Sequence, residues 1–348
     1  MKLTRFLALA ALLGTAVPAA AQVTLNGAGA TFPNIIYGNW MLAYNKAHPE
    51  VQLNYQSIGS GGGIRQFSDG TVDFGATDAA MTDDELKAAT AKGDPVHVPT
   101  VFGGVTVAYN VSGVQKGLKL DGATVANMFL GKVKKWNDPS IATQNAGVKL
   151  PGQAITVCHR SDESGTTKLF TSFLAAYSPA WKNGPGVDKT VKWPTGTGAK
   201  GNDGVAACVK QNQGAVGYVE QAFALQNNFA TAAVKNKSGK YIAPTLASIS
   251  AAGDGLKVPA DLRFSAIDSP GPTAYPIASA TFILVYKDMC KAGKTNAIAQ
   301  RVKNWLDYAE GPGQSVAKEL QYAPLPAAIH TAAQAKVKGL TCNGKALQ

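Results

Sequence analysis

The chain has 348 residues, 45% of them hydrophobic and 16% charged, so it can bury the cores of two ordinary domains and does not belong to the disordered class. Its formal charge of +11 would suit a nucleic-acid partner. The Lys and Arg residues, however, are scattered beside Gly, Asn and Asp and form no single stripe, which fits a general attraction for anions and argues against nucleic acid.

In chain order, residues 1–21 read as a secretory signal. Lys2 and Arg5 form the charged start, Phe6 to Leu13 the apolar stretch, and Ala19-Ala20-Ala21 the small-residue cleavage site, with cleavage expected after Ala21. The apolar stretch is shorter than the roughly 20 residues of a membrane helix, and no other run approaches that length. No Cys follows the cleavage site directly, so the product is expected to be periplasmic without an N-terminal lipid anchor. Pro33 to Lys46 reads as a helix with Ile36, Tyr37, Trp40, Met41 and Tyr44 on one face. Val51, Leu53 and Tyr55 alternate as a strand. Gly59-Ser60-Gly61-Gly62-Gly63 follows, and Ile64 and Phe67 start another helix. Asp73 to Asp78 is the next strand end, and Thr82 with Glu85 forms a capping box.

Further on, Lys132, Lys134 and Lys135 beside Trp136 are the densest basic group and read as a solvated turn. Ile155 to Cys158 is a buried strand. Leu169, Phe170, Phe173, Leu174 and Tyr177 recur at helical spacing, so Ser164-Gly165-Thr166 opens a helix. A helix start leaves N–H groups unpaired at the positive end of its dipole, and Gly165 lets an anion come close to them. Arg160 adds a planar charged fork suited to two oxygens of phosphate or sulfate, and Asp162 is placed to hold that fork. Gly184–Gly201 and part of Asn236–Pro244 read as loops, and Gly201-Asn202-Asp203-Gly204 either lines the ligand cleft or, the favoured reading, caps a helix. Strands alternating with helices predict a mainly parallel α/β sheet covered on both faces, with ligands at the carboxyl ends of its strands.

Four cysteines in an exported chain imply two disulfides; three pairings are possible, and Cys158 with Cys208 and Cys290 with Cys342 are favoured. No two cysteines are close in sequence and the four His are isolated, so neither a metal nor another cofactor is expected. Gly59–Gly63 lacks the acidic residue that would complete a dinucleotide site. Gly293-Lys294-Thr295 has Asp288 where a P-loop needs Gly, and Ile58 breaks a hydrolase elbow around Ser60. The chain is therefore expected to bind and not to catalyse.

Five ordered segments, Gly27–Pro33, Gly59–Gly63, Asp73–Asp78, Arg160–Thr166 and Gly201–Gly204, resemble the motifs of the periplasmic phosphate-binding proteins of phosphate-specific ABC transport systems. The resemblance covers nearly all of the mature chain. It implies a periplasmic-binding-protein fold (type II) with two α/β domains, 22–102 plus 276–348 and 103–275, closing on inorganic phosphate. It also implies a monomer that hands phosphate to an inner-membrane ABC permease. Carried over by motif, the contacts are Thr31, Phe32, Ser60, Asp78, Arg160, Ser164, Gly165 and Thr166, with Asp162 orienting Arg160. Asp78 discriminates, because a carboxylate only accepts and so suits an anion that still carries a proton, as phosphate does and sulfate does not. Glu163 departs from the family's usual small residue and is expected to face solvent. The four cysteines are also outside the family pattern. A phosphate-scavenging phosphomonoester hydrolase on the same fold, or a receptor for another oxyanion, is the alternative.

Overall fold

The computed structural model describes residues 22–348; the signal segment read at 1–21 lies outside the described residues. Among the described residues the main sheet has nine strands, eight of which form its continuous path: β1 (Val23–Gly29), β2 (Val51–Ser57), β3 (Phe74–Thr77), β4 (Pro95–Asn110), β5 (Thr156–Arg160), β6 (Thr197–Ala199), β7 (Ala215–Glu220) and β8 (Ala278–Tyr286). Their spatial order is β2-β1-β3-β8-β4-β7-β5-β6, with the short pair Ala230–Thr231 added beside β4.

The outer trios are parallel: β1 pairs with β2 and β3, and β5 with β6 and β7. The middle is not. β8 runs antiparallel to both β3 and β4, and β4 antiparallel to β7, so the expectation of a mainly parallel sheet holds for each half and fails where the halves join. The physical reason is the double crossing. One strand leaves the first half and another returns to it, and two neighbouring strands of opposite direction must pair antiparallel. β4 is long enough to serve both halves: Pro95–Gly104 pairs with β8, and Val105–Asn110 with β7. Both strands read as nearly continuous apolar runs because both of their faces are covered, and all nine residues of β8 are buried.

Helices connect the parallel strands. In α1 (Asn34–Ala47) the buried face consists of Ile36, Tyr37, Trp40, Met41 and Tyr44, as the periodicity predicts, with Pro33 in the N-cap position. α2 (Ser60–Ser68) begins at Ser60, so the glycine run forms the first turn of the helix and does not precede it. Close packing explains this composition: a Cβ on Gly63 would lie 2.4 Å from the Gly29 Cα and 2.7 Å from the Ala28 carbonyl. α3 (Asp83–Ala89) starts on the Thr82–Glu85 capping box. α4 (Gly165–Tyr177) opens where the sequence places it, and α5 (Gly201–Gln211) follows β6. The loop expected over 184–201 thus contains the short strand β6.

The two disulfides are Cys158–Cys208 and Cys290–Cys342. The first ties β5 to α5, and each closes a loop of about 50 residues, a length for which chain entropy gives roughly 4 kcal/mol.

Candidate functional site

The carboxyl ends of β1, β3 and β5 meet the first turns of α1, α2 and α4 in one buried cluster. Thr31 is 2% exposed, Asp78 1% and Arg160 3%, while Ser60, Ser164 and Thr166 are fully buried. All of these residues belong to the set expected from the motifs. Burial of that many polar groups costs free energy unless each finds a partner, and the partners define what the site can do.

On one wall, Arg160 ends β5. Its Nε and Nη2 donate to the two carboxylate oxygens of Asp162 at 2.7 and 2.6 Å, the fork-to-fork geometry expected of that pair. Asp162 Oδ1 also accepts the Gly201 N–H at 3.1 Å. Burial alone would raise the Asp162 carboxyl, but the hydrogen bonds and charge of Arg160 outweigh it and hold the group below the usual carboxylate range. The third guanidinium nitrogen, Nη1, reaches Thr166 Oγ1 at 3.4 Å. Behind the strand, the Tyr218 hydroxyl accepts the Arg160 backbone N–H at 3.1 Å and meets Thr167 Oγ1 at 2.7 Å. Tyr218 is itself stacked on Phe170 and Trp193, so an aromatic layer backs the charged fork.

Ser164 caps α4 by accepting the Thr167 N–H at 3.0 Å, which leaves its own O–H available as a donor. Gly165 and Thr166 are first-turn residues whose N–H groups have no intrahelical acceptor. A Cβ on Gly165 would stand 2.3 Å from Ser60 Oγ and 2.6 Å from Asp78 Oδ2, so only glycine allows the helix start to approach the opposite wall this closely.

That opposite wall is built on Asp78. Oδ1 accepts the Thr281 hydroxyl at 3.0 Å, Oδ2 lies 3.4 Å from Ser60 Oγ, and the Asp78 N–H reaches Ser60 Oγ at 3.2 Å. Burial pushes the Asp78 carboxyl up to about 7, only partly offset by Thr281, the charge of Arg160 and the hydroxyls of Ser60 and Thr166. Phe32 turns its ring into the core against Tyr322, and its carbonyl accepts the Tyr322 hydroxyl at 2.7 Å. What Phe32 can offer the site is its backbone N–H at the start of α1.

Counted as formal charges, Arg160 is balanced by Asp162, and Asp78 is left over. The site has no excess of positive charge. An anion here is held by hydroxyls and by oriented N–H dipoles, which favours recognition of its shape and protonation over recognition of charge.

A PBP superfamily domain model matches residues 14–310. The phosphate-binding protein PstS of Pasteurella multocida is 41% identical over 96% of this chain and 95% of its own length. The chain belongs to the PstS family. The PstS of Haemophilus influenzae is 42% identical over 91% of this chain and 93% of its own. Among solved structures, a phosphate-binding protein from Stenotrophomonas maltophilia has the same fold, with a TM-score of 0.69 at 22% identity, covering 90% of this chain and 93% of that one.

Three features of this PstS member go beyond the motif reading. Of the two readings of Gly201–Gly204, a helix cap and a lining of the cleft, the structure supports the second: the fully buried Asn202 donates to Thr31 Oγ1 at 2.8 Å and to Thr166 Oγ1 at 3.3 Å. Thr281, on β8, supplies the strongest partner of Asp78, and no local pattern around it marks that role. Glu163 faces away from the anion position, as expected, but not simply into solvent: it pairs with Arg65 on α2. Two further ion pairs join distant segments near the site, Lys189 with Glu85 at 2.6 Å and Arg263 with Asp83 at 2.7 Å.

The four His residues stand apart from this cluster. His97 accepts the Met81 N–H and is lowered to about 4 by burial, His159 stacks on Trp193, His48 neighbours Glu50, and His330 neighbours Glu310. Among the described residues, no group of three or more His, Cys, Asp or Glu side chains converges.

Proposed function

We propose that this chain is the phosphate receptor of an ABC transporter: it binds one inorganic phosphate between two domains and hands it to an inner-membrane permease. It needs no cofactor and is not an enzyme. Relatives that share about two fifths of its residues over nearly their whole length are named as phosphate-binding proteins, which supports the ligand. The observation that carries the reading is the pairing of walls. A fully engaged Arg160–Asp162 fork and the first turn of α4 face a buried Asp78 whose carboxyl titrates near neutrality.

In this reading Thr31, Ser60, Ser164 and Thr166 donate hydroxyl hydrogens, and Phe32, Gly165 and Thr166 donate backbone N–H groups. Arg160 donates through Nη1, the nitrogen that Asp162 leaves free. Asp78 accepts the proton that phosphate retains. Sulfate has none to give, and an ionised Asp78 would face it with nothing between two acceptors; a buried charged acceptor left without a donor costs well over the 1–3 kcal/mol of a neutral one. The domains we assign are 22–102 plus 276–348 and 103–275, a division supported by the two partners of β4. We further propose a periplasmic monomer without a lipid anchor, exported by a signal cleaved after Ala21.

Calorimetric titration of ligand-stripped protein with phosphate and then sulfate at neutral pH tests this. One-to-one phosphate binding with no sulfate heat is expected; equal response to both ions, or none to phosphate, would sink the proposal.

A further inference from the structure

We infer that Asn202 is a positioning residue that makes the hydroxyls of Thr31 and Thr166, on opposite sides of the cleft, obligatory donors toward the bound anion. The inference rests on the phosphate reading of the site and adds to it a residue outside the contact set.

The argument is a count of hydrogen-bonding capacity. A threonine hydroxyl has one hydrogen to donate and two lone pairs that accept. Thr31 Oγ1 accepts twice from Asn202, from the backbone N–H at 3.2 Å and from Nδ2 at 2.8 Å. Both lone pairs are then taken. Thr166 Oγ1 accepts from Arg160 Nη1 at 3.4 Å and from the second Nδ2 hydrogen of Asn202 at 3.3 Å, which fills it in the same way. Each hydroxyl is left with only its hydrogen.

Which end of the Asn202 amide is nitrogen is decided by a third partner. Oδ1 lies 2.9 Å from the Glu220 backbone N–H, which can only donate, so the oxygen must point there and the NH2 group must point at the two threonines. Asn202 is fully buried and at the start of α5, so it does not swing out of this arrangement without opening the cleft. In the proposed domain division residues 31 and 202 belong to different domains, so their contact would be broken by any movement that parts those domains. Asn202 thus couples closure to the orientation of donors: the hydroxyls become committed to the anion as the site shuts.

Asn202→Asp separates this role from mere packing, because it keeps the shape and the acceptor for Glu220 but turns the donor end into a second acceptor. Thr31 and Thr166 would then donate to residue 202 and be lost to the anion. Phosphate affinity at pH 8 is expected to fall by about 100-fold or more, the worth of two hydrogen bonds to a charged group. Lowering the pH to about 5.5 should narrow the gap to wild type as the new carboxyl regains a proton and a donor. Arg160 shares Thr166 with this position, Asp162 accepts the adjacent Gly201 N–H, Glu220 donates its backbone N–H to it, and burial raises the carboxyls of both Glu220 and the nearby site residue Asp78, so the variant is compared with wild type at each pH.

Asn202→Ala in wild-type and Thr31→Val/Thr166→Val backgrounds supplies the second arm, with thermal unfolding of ligand-free protein as the check on folding. A loss of about tenfold or more in the first background and less than about threefold in the second is expected. Equal losses in both backgrounds, or a pH-independent gap for Asn202→Asp, would overturn the positioning role while leaving phosphate binding intact. Wild-type protein that fails to bind phosphate would instead overturn the receptor reading, and this inference with it.

Discussion

Asp162 and Asp78 stand on opposite walls of one site, and the protein treats these two identical side chains in opposite ways. Asp162 has every oxygen engaged by Arg160 and the Gly201 N–H, and is held ionised below the usual range despite its burial. Asp78 is buried more deeply, meets hydroxyls and the more distant charge of Arg160, and is pushed up to about 7. The difference lies in their partners. A carboxylate paired with a guanidinium has become scaffold, with nothing left to offer a ligand. A carboxylate surrounded by neutral donors keeps its proton in play near neutral pH and can respond to the proton on an incoming anion. In the proposed function, one wall holds the anion and the other discriminates.

The comparison breaks most completely at Arg160. Arg160→Ala removes the donor to the anion and leaves Asp162 as an uncompensated, largely buried charge. Phosphate affinity is expected to fall on the order of a thousandfold, and stability by about 3–5 kcal/mol, the usual consequence of deleting one partner of a buried pair. Calorimetry reads the first and thermal or denaturant unfolding the second. A variant with unchanged affinity would show that the fork serves only the fold.

Asp78→Asn attacks the other wall and is expected to change selectivity more than affinity. The amide can donate to sulfate, so the preference for phosphate over sulfate should shrink by roughly 10–100-fold, the scale of one charged hydrogen-bond mismatch. The wild-type protein should show the same effect with pH alone. Above about 7, Asp78 is ionised and can only accept; below it, the protonated carboxyl can donate to sulfate, so sulfate affinity should rise as the pH falls from 8 to 6. Stability carries the matching sign. The folded value of about 7 lies above the 3.8 of an ordinary aspartate, so the contribution of this group is fully present below about 4 and is lost as pH rises through 7. Asp78→Asn should remove that decline from the unfolding curves of ligand-free protein. A sulfate affinity that stays flat from pH 8 to 6 would separate Asp78 from discrimination.

How much of this is legible in sequence depends on whether a feature is local. The opening of α4 at Ser164-Gly165-Thr166, the Arg160–Asp162 fork and the Thr82–Glu85 capping box all follow from spacings of two or three residues, which the backbone converts directly into contacts. The buried face of α1 follows from periodicity for the same reason. The sequence around Asn202 fits a helix cap or a cleft lining, because the choice depends on Thr31, 171 residues away. Thr281 is 203 residues from Asp78 and sits in a strand that reads as plain core. The glycine run before Ile64 reads as a loop in sequence for a related reason. Glycines usually weaken a helix, but here α2 lies so close to β1 that side chains would collide, and tertiary contact overrides propensity. The antiparallel joint between the halves likewise depends on which strand crosses beside which, and no stretch of residues contains that information by itself.

The smallest expected effect lies at the rim, where the same contrast between engaged and available charge recurs. Glu163 is only one residue from Asp162, and a negative charge so near an anion would weaken binding if it pointed inward. It points across to Arg65 instead, with its side chain 44% exposed and that of Arg65 63% exposed. Exposed pairs contribute little and are screened by salt, so Glu163→Ala should change phosphate affinity by less than about threefold in either direction. Lys189 provides the reference. Its side chain is 7% exposed, its Nζ donates to both Glu85 oxygens at 2.6 and 2.8 Å, and its carbonyl accepts the Ser164 N–H, so it links the closing pair to the start of α4. Lys189→Met should therefore speed phosphate release severalfold in stopped-flow measurements, and that loss should persist at high salt better than any effect at Glu163, because less water reaches the pair. A tenfold gain in affinity for Glu163→Ala would mean that its carboxylate reaches the anion after all. Equal, small effects at both positions would mean that closure is held by the anion and the residues around it, with the rim pairs contributing nothing measurable.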